Sequence, residues 1–354
     1  MVNWVMVILL LQDLRAVFIQ LQLPLWIQLV ILVITLGLGL QFYFFVQQFV
    51  RGGVITIARP AGVEGFLPIG ALMGWKHYLA TGQWDAIHPA AMVILAFAGI
   101  VSFLFRKSFC SWFCPVGTLS EWLWKTGERL FGRNYQIFVW LDYPLRSLKY
   151  ALLLFFVVII ARMATADIAH FLQSPYYQMA DVKMLHFFTR MSPTTGIVLA
   201  VLLLMSVFFR NFWCRYLCPY GALMGILALG SPLQIRRDKN SCVQCQRCHQ
   251  VCPAHLRIHQ KKRILSPECS GCMDCSMVCP VPDTLVMKPP GKRVKGLRIS
   301  WAGLLVVAMF LGTVTWAKVS GHWESCLSLR EFRMGVMMID AADMTHPSVQ
   351  FGRK

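Results

Sequence analysis

Apolar residues in this chain gather into long runs separated by short polar stretches, and five of the runs are candidates to cross a membrane. The first, Pro24 to Val46, contains no charged residue. The second runs from His88 to Phe105, and the third is centred on Tyr150 to Ala161, with Lys149 and Arg162 close enough to snorkel. The fourth, Thr194 to Phe209, is short; the fifth, Ile299 to Ala317, carries Trp301 and Trp316 near its ends as interface anchors. A helical span takes roughly 20 residues, and a helix is the element that satisfies its own backbone in hydrocarbon. Ahead of the first run, Trp4 to Leu11 is too short to span and is followed by Asp13 and Arg15. With no basic n-region and no small-residue cleavage site, residues 1–23 are expected to form an interfacial segment, not a cleaved signal peptide.

Two of the runs lead into near copies of one motif. LFRKSFCSWFCPVGTL (104–119) aligns without gaps to FFRNFWCRYLCPYGAL (208–223), an offset of 104 residues. The repeat unit is span, Arg, Cys, Cys-Pro, in the same orientation each time, which predicts two similar halves about an axis along the membrane normal. After Gly230 the pattern changes. Residues 231–297 are polar, basic and rich in cysteine, with no long apolar run. The expected organisation is an interfacial segment (1–23), a membrane domain with two CxxxCP repeats (24–230), an inserted peripheral domain (231–297), a last transmembrane helix (298–318) and a tail (319–354). The fold class is an all-α polytopic membrane protein with a small inserted α+β ferredoxin-like domain. Cys326, alone in the tail, reads as an ordinary thiol.

Composition agrees with the runs. The chain is 57% hydrophobic and 14% charged, whereas soluble domains average about 45–50% and about 25%. The formal net charge of +18 suggests the positive-inside bias and contact with anionic lipid before nucleic acid, because the basic residues flank apolar spans and cysteine motifs. With five spans and the N-terminus inside, the inner segments hold 23 of the 34 Lys and Arg. That places both cysteine-rich regions in the reducing compartment, where thiols are free to bind metal, and the tail outside.

Eight of the 13 cysteines form two runs. CVQCQRCHQVCP holds Cys242, Cys245, Cys248 and Cys252; CSGCMDCSMVCP holds Cys269, Cys272, Cys275 and Cys279. Both follow the C-x2-C-x2-C-x3-C-P spacing of bacterial two-cluster ferredoxins. The x2 spacings let three thiolates converge on one cubane, while the fourth cysteine, past a turn, points at the other. Cluster one is therefore assigned to Cys242, Cys245, Cys248 and Cys279, and cluster two to Cys269, Cys272, Cys275 and Cys252. Zinc ribbons or disulfides are the competing readings. Cys245-Gln-Arg-Cys248-His249 also matches a haem attachment pattern, but both cysteines are already needed for the cubane. The basic groups Arg236, Arg237 and Lys239, and Lys261, Lys262 and Arg263, either offset cluster charge, rest on anionic lipid, receive an acidic electron partner, or form a solvated face.

The CxxxCP pairs pose a separate question, since two cysteines are too few for a cluster. If each helix continues past its span, Arg106, Cys110 and Cys114 lie on one face, as do Arg210, Cys214 and Cys218, with the arginine favouring thiolate and the proline ending the helix. Packed together, Cys110, Cys114, Cys214 and Cys218 would supply a third cubane or another metal site. The rival is a set of redox-active or structural thiols.

With these motifs assembled, the chain resembles the membrane-bound ferredoxin proteins of the NapH, NosR and CcoG type, most of all the short YccM-like members. RPAGVEGFLPIGALMGWKHYL (59–79) resembles the loop such proteins carry after their first span. The resemblance covers nearly the whole chain from Pro24 to the fifth span. It implies a bacterial inner-membrane protein that passes electrons between the quinone pool and a redox protein partner through 4Fe–4S clusters, in the manner of a quinol dehydrogenase-type subunit. The alternative it implies is an assembly, maturation or regulatory factor for a respiratory metalloenzyme. The chain lacks room for the extra flavin domain of NosR or the C-terminal domain of CcoG, which weighs against flavin and copper-assembly roles. Quinol oxidation needs bases for two protons. Glu64, in a stretch broken by Gly and Pro that is expected to re-enter the membrane edge, is the candidate quinol-proximal carboxylate, with His77, His88, His170, Asp181 and His186 on the same side.

Overall fold

The computed structural model describes residues 4–52, 56–291, 296–341 and 344, with side chains from residue 23 onward. It is mostly helical. The helices ahead of the ferredoxin segment begin with α1 (Trp4–Arg51), α2 (Pro68–Thr81), α3 (Pro89–Leu104), α4 (Ser108–Trp112), α5 (Pro115–Phe131) and α6 (Val139–Arg162). They continue with α7 (Thr165–Leu172), α8 (Pro175–Gln178), α9 (Ala180–Thr189), α10 (Pro193–Phe208), α11 (Phe212–Tyr216) and α12 (Pro219–Leu227). The ferredoxin segment adds β1 (Gln234–Arg237), α13 (Arg247–Gln250), α14 (Asp274–Met277) and β2 (Leu285–Lys288); α15 (Ile299–Val319) and α16 (Leu329–Met337) follow.

All five predicted runs are helical. Among the described residues, Leu23–Arg51 of α1, α6 and α15 are each long and apolar enough to cross a membrane. α9 and α10, bent by 78° at the residues between them, make a fourth candidate if taken as one broken span. α3 is apolar but only 16 residues long, short of the roughly 20 a straight span takes. The boundary expected at residue 23 is not a break in structure: α1 runs through it, with Pro24 inside the helix.

The chain divides into two compact units, each built from three separated segments. The first joins residues 1–32, 99–150 and 203–309. It unites both CxxxCP segments with the ferredoxin segment, which was expected as a separate peripheral domain. Backbone carbonyls explain the union. Arg106 Nη2 donates to Ser266 O at 2.5 Å, Ser111 Oγ to Ser270 O at 2.9 Å, and Arg210 Nη1 to Gln250 O at 2.7 Å. The ferredoxin segment itself has little core. β1 pairs antiparallel with β2, Gln234 opposite Lys288 and Arg237 opposite Leu285, and Ile235, Ile264, Leu285 and Met287 are buried there.

The second unit joins residues 33–98, 151–202 and 310–354. Its core is aromatic: Phe332 of α16 packs on Phe45 and Phe49 of α1, ring centroids 4.9 and 5.4 Å apart. Lys76 caps the C-terminus of α6 by donating to the carbonyls of Ile160, Ala161 and Met163, a favourable place for a cation. α16 was not foreseen. Its signal was a capping box: Ser328 accepts from Glu331 N, and the Glu331 carboxylate accepts from Ser328 N.

Candidate metal centres

The two ferredoxin runs fold alike because the same positions adopt positive φ. Gln244 and Gln246 in the first run (φ 52° and 59°) correspond to Gly271 and Met273 in the second (φ 67° and 66°). Each left-handed residue reverses the chain, so three cysteines close in space face inward. The second reversal also starts a short helix, α13 or α14, which carries the third cysteine. Glycine is required at only one of the four positions. A Cβ on Gly271 would lie 2.6 Å from Ser108 Oγ and 2.7 Å from Phe105 O, so the second run is pressed against the turn before α4. Gln244 is exposed and tolerates a side chain.

Each crossed cysteine set lines its own cavity. Cys242, Cys245, Cys248 and Cys279 surround one. Cys252, Cys269, Cys272 and Cys275 surround another, walled by Ile235, Ile258 and Ile264. The thiols sense one another accordingly: Cys248 feels the charges of Cys245, Cys279 and Cys242, and Cys252 feels that of Cys269. Among the described residues no three His, Cys, Asp or Glu side chains converge as one metal ion requires. A cubane asks for something else, four thiolates spread over four irons, and the four-thiol cavities fit it. Burial pushes the Cys252 thiol up to about 11, whereas the Gln244 amide and Arg237 pull the more open Cys242 thiol down. His249 bonds the Leu256 carbonyl through Nδ1, and its neighbours Cys245 and Cys248 both line the cluster-one cavity, so the haem-like pattern is absorbed by the ferredoxin site.

The CxxxCP segments are built differently from the expectation. α3 ends at Leu104 and Arg106 turns the chain at φ 64°. Cys110 sits in α4, and Cys114 is the N-cap of α5. The second copy is similar, with its left-handed residue one position later: α10 ends at Phe208, Asn211 has φ 53°, Cys214 sits in α11, and Cys218 caps α12. The cysteines therefore do not share one continued helix with the arginine. Pro115 and Pro219 begin helices instead of ending them, because a proline at the first helical position lacks only an N–H that has no partner anyway. The residue before each is extended, as proline demands, with ψ of 117° at Cys114 and 106° at Cys218.

The four thiols nevertheless come together. Cys110 feels Cys114 and Cys218, and Cys214 feels Cys218, Cys114 and Cys110. A cavity open to solvent is lined by two of the four, Cys110 and Cys214, together with Lys107, Glu268, Ser270 and Cys272, the last of these belonging to the cluster-two set. Burial lifts the thiols, Cys110 up to about 12 and Cys114 to about 11, and a bound metal would draw them to the thiolate. The arginines do not serve the thiols. Arg106 is spent on the carbonyls of Ala228 and Ser266, and Arg210 on Glu128 and Gln250 O. The nearby cation is Lys107, which feels Cys110, Cys214 and Cys218. Sequence reading missed it, although it stands opposite a neutral Asn211 in the aligned copies. At the cavity wall Glu268 pairs with buried Lys149, Nζ to the two carboxylate oxygens at 2.8 and 2.6 Å, with the Tyr150 hydroxyl at 3.0 Å. Burial opposes the Glu268 charge, but Lys149 and Lys107 hold its carboxyl below the usual range.

Glu64 lies in the second unit, in a 3-10 turn, and is fully buried. Its Oε2 accepts from the backbone N–H of Ala90 and Ala91 at 2.9 and 3.3 Å, capping α3. Its Oε1 pairs with Arg59 at 2.9 Å and lies 3.4 Å from His88 Nδ1. Arg59 also donates to Asp181, at 2.7 and 3.0 Å. Burial works against the Arg59 charge, yet Asp181 and Glu64 raise it above its ordinary range. His88 Nε2 meets the Tyr177 carbonyl at 2.8 Å, and the Tyr177 hydroxyl donates to Asp85 at 2.6 Å. Of the polar residues grouped with Glu64, the structure thus joins His88 and Asp181 to it. Among the described residues, His77, His170 and His186 make no bond to this network.

Comparisons with known proteins point the same way. A family profile described as 4Fe-4S binding domain matches residues 87–134 and again 191–237, and a 4Fe-4S dicluster domain profile matches 234–281. The putative electron transport protein YccM of Escherichia coli is 44% identical over 289 residues, 80% of this chain and 81% of YccM. The ferredoxin-type protein NapH of Escherichia coli is 26% identical over 207 residues, 54% of this chain and 67% of NapH. The regulatory protein NosR of Pseudomonas aeruginosa is 28% identical over 219 residues, 60% of this chain but 30% of NosR. No solved structure matches.

Proposed function

The chain belongs to the membrane-bound 4Fe–4S polyferredoxin family, and on that premise we propose that it passes electrons between the quinone pool and a redox protein partner. The observation that carries this reading is the sequence of cavities in the first unit. The CxxxCP cavity shares Cys272 with the cluster-two set, and cluster one has the exposed edge, at Cys245 and Val243. Cys110, Cys114, Cys214 and Cys218 would hold a third cluster, Cys252, Cys269, Cys272 and Cys275 the second, and Cys242, Cys245, Cys248 and Cys279 the outermost. When bound, such clusters take up and release single electrons. The protein's part is to hold them close, exclude water from the inner ones, and present the outer one beside Arg237 and Arg247 to an acidic partner.

On the quinol side the assignment is Glu64, whose network with Arg59, His88 and Asp181 supplies bases for the released protons. The five-span topology, with the N-terminus and ferredoxin segment facing the cytoplasm of a bacterial inner membrane and the tail outside, rests on the charge count. The regulatory role in NosR's name attaches to a protein of which this chain matches 30%, and no feature of the described residues favours it here.

Iron and sulfide analysis with EPR on anaerobically purified protein tests the cluster count. About twelve irons support three cubanes; about eight leave the CxxxCP cysteines as redox-active or structural thiols. Glu64→Gln tests the quinol side, because its carbonyl still accepts the Ala90 and Ala91 N–H bonds while the charge is gone. Slowed quinol-dependent reduction of intact clusters is expected, and an unchanged rate removes Glu64 from that role.

A further inference from the structure

Resting on the reading of the CxxxCP thiols as a cluster site, we propose that Lys107 is the charge that sets the reduction potential of the group they hold. Lys107 is 5% exposed and lines the CxxxCP cavity. Among the described residues its ammonium has neither an ion-pair partner nor a hydrogen-bond acceptor. The other cations near the site are engaged: Arg106 and Arg210 as described, Arg215 by Asp142 at 3.0 Å, and Lys149 by Glu268. An ammonium that faces a cavity favours a negatively charged occupant there. Four thiolates around an iron–sulfur core carry net negative charge, so the cavity is electrostatically complementary to such an occupant.

The position of the ammonium sharpens this. It stems from the first CxxxCP copy, yet Nζ lies 3.4 Å from where a Cβ on Gly221 of the second copy would stand. One cation thus reaches across to both cysteine pairs, and it feels Cys110, Cys214 and Cys218 together. The second copy places neutral Asn211 at the aligned position, so the symmetric repeat holds one central charge instead of two. Reduction adds one electron to the occupant and changes no bond. A fixed positive charge favours the more negative, reduced form and raises the potential. Glu268 lines the same cavity and also acts on Lys107, but its carboxylate is already paired with Lys149.

The test is a redox titration followed by EPR on the full-length protein, with iron analysis of the same samples. Lys107→Met keeps the apolar stem and removes the charge; Lys107→Arg restores charge. The expected result is about twelve irons in each protein, one midpoint lowered in Lys107→Met and returned toward the original in Lys107→Arg, and the cluster-one midpoint unmoved. Twelve irons with all midpoints unmoved overturn the role of Lys107 and leave the third cluster standing. Eight irons in the unsubstituted protein overturn the third cluster and this inference with it. If Lys107→Met alone falls to eight irons, Lys107→Arg must recover both the iron and the original midpoint; failure to do so overturns the inference.

Discussion

Replacing Glu268 by Gln isolates one buried charge. Its carboxylate receives both Lys149 contacts, at 2.6 and 2.8 Å, and their side chains are 9% and 0% exposed. Glutamine keeps the volume and one acceptor but leaves the Lys149 ammonium without a counter-charge. Lys107 and Arg215 lie close enough to repel it. Breaking a buried pair from one side costs about 3–5 kcal/mol. The retained acceptor puts the expectation near 3 kcal/mol, or about two decades in the folding equilibrium. Substituting both partners, Glu268→Gln with Lys149→Met, removes both charges and should recover most of the loss, because a buried pair exchanged for neutral groups is often nearly neutral. The assay is denaturant unfolding of the detergent-solubilised holoprotein, with the cluster-two EPR signal followed in parallel because Glu268 precedes Cys269. A single variant within about 1 kcal/mol of the original, or a double variant as unstable as the single, would refute the argument.

Three further outcomes follow from the geometry. Cys252→Ser should disturb the same EPR signal as Cys269→Ser and Cys275→Ser and spare the one lost in Cys245→Ser; the opposite grouping would disprove crossed ligation. Gly117→Ala places a Cβ 2.1 Å from the Cys110 carbonyl oxygen, whereas the nearest atom to a Cβ at Gly221 is Lys107 Nζ at 3.4 Å. The first variant should therefore lose about 3 kcal/mol or fail to fold, and the second should purify normally, a contrast read by yield and thermal midpoint. Ser328→Ala removes the cap of α16 and should raise hydrogen exchange across residues 329–337 several-fold, with the iron content unchanged.

The two four-cysteine runs stand out in the sequence because x2 spacing is a local constraint: a few bonds of chain decide which three thiols share a loop. The helical runs were legible for a similar reason, since uniform apolarity over such lengths leaves the backbone few options. The wrong continuation of the helices past Cys110 and Cys214 came from reading proline as a terminator, when at the first helical position it initiates. α16 was readable in the Ser328–Glu331 capping box and was overlooked.

Other features depend on residues far apart in the chain. Whether Arg106 or Lys107 faces the thiols turns on carbonyls of Ala228 and Ser266, which claim the arginine. No local pattern announces that claim. Glu64 looked like an isolated carboxylate until Arg59, His88, Asp181 and the N-terminus of α3 closed around it. Gly271 looked like an ordinary loop glycine, yet its missing Cβ lets the cluster-two loop settle against Phe105 and Ser108, drawing the ferredoxin segment into one unit with the CxxxCP repeats. Spacing and apolarity act through neighbours along the chain and are written there. Charge placement and close approach are settled by which distant groups compete for the same atoms, and those competitors meet only in the folded protein.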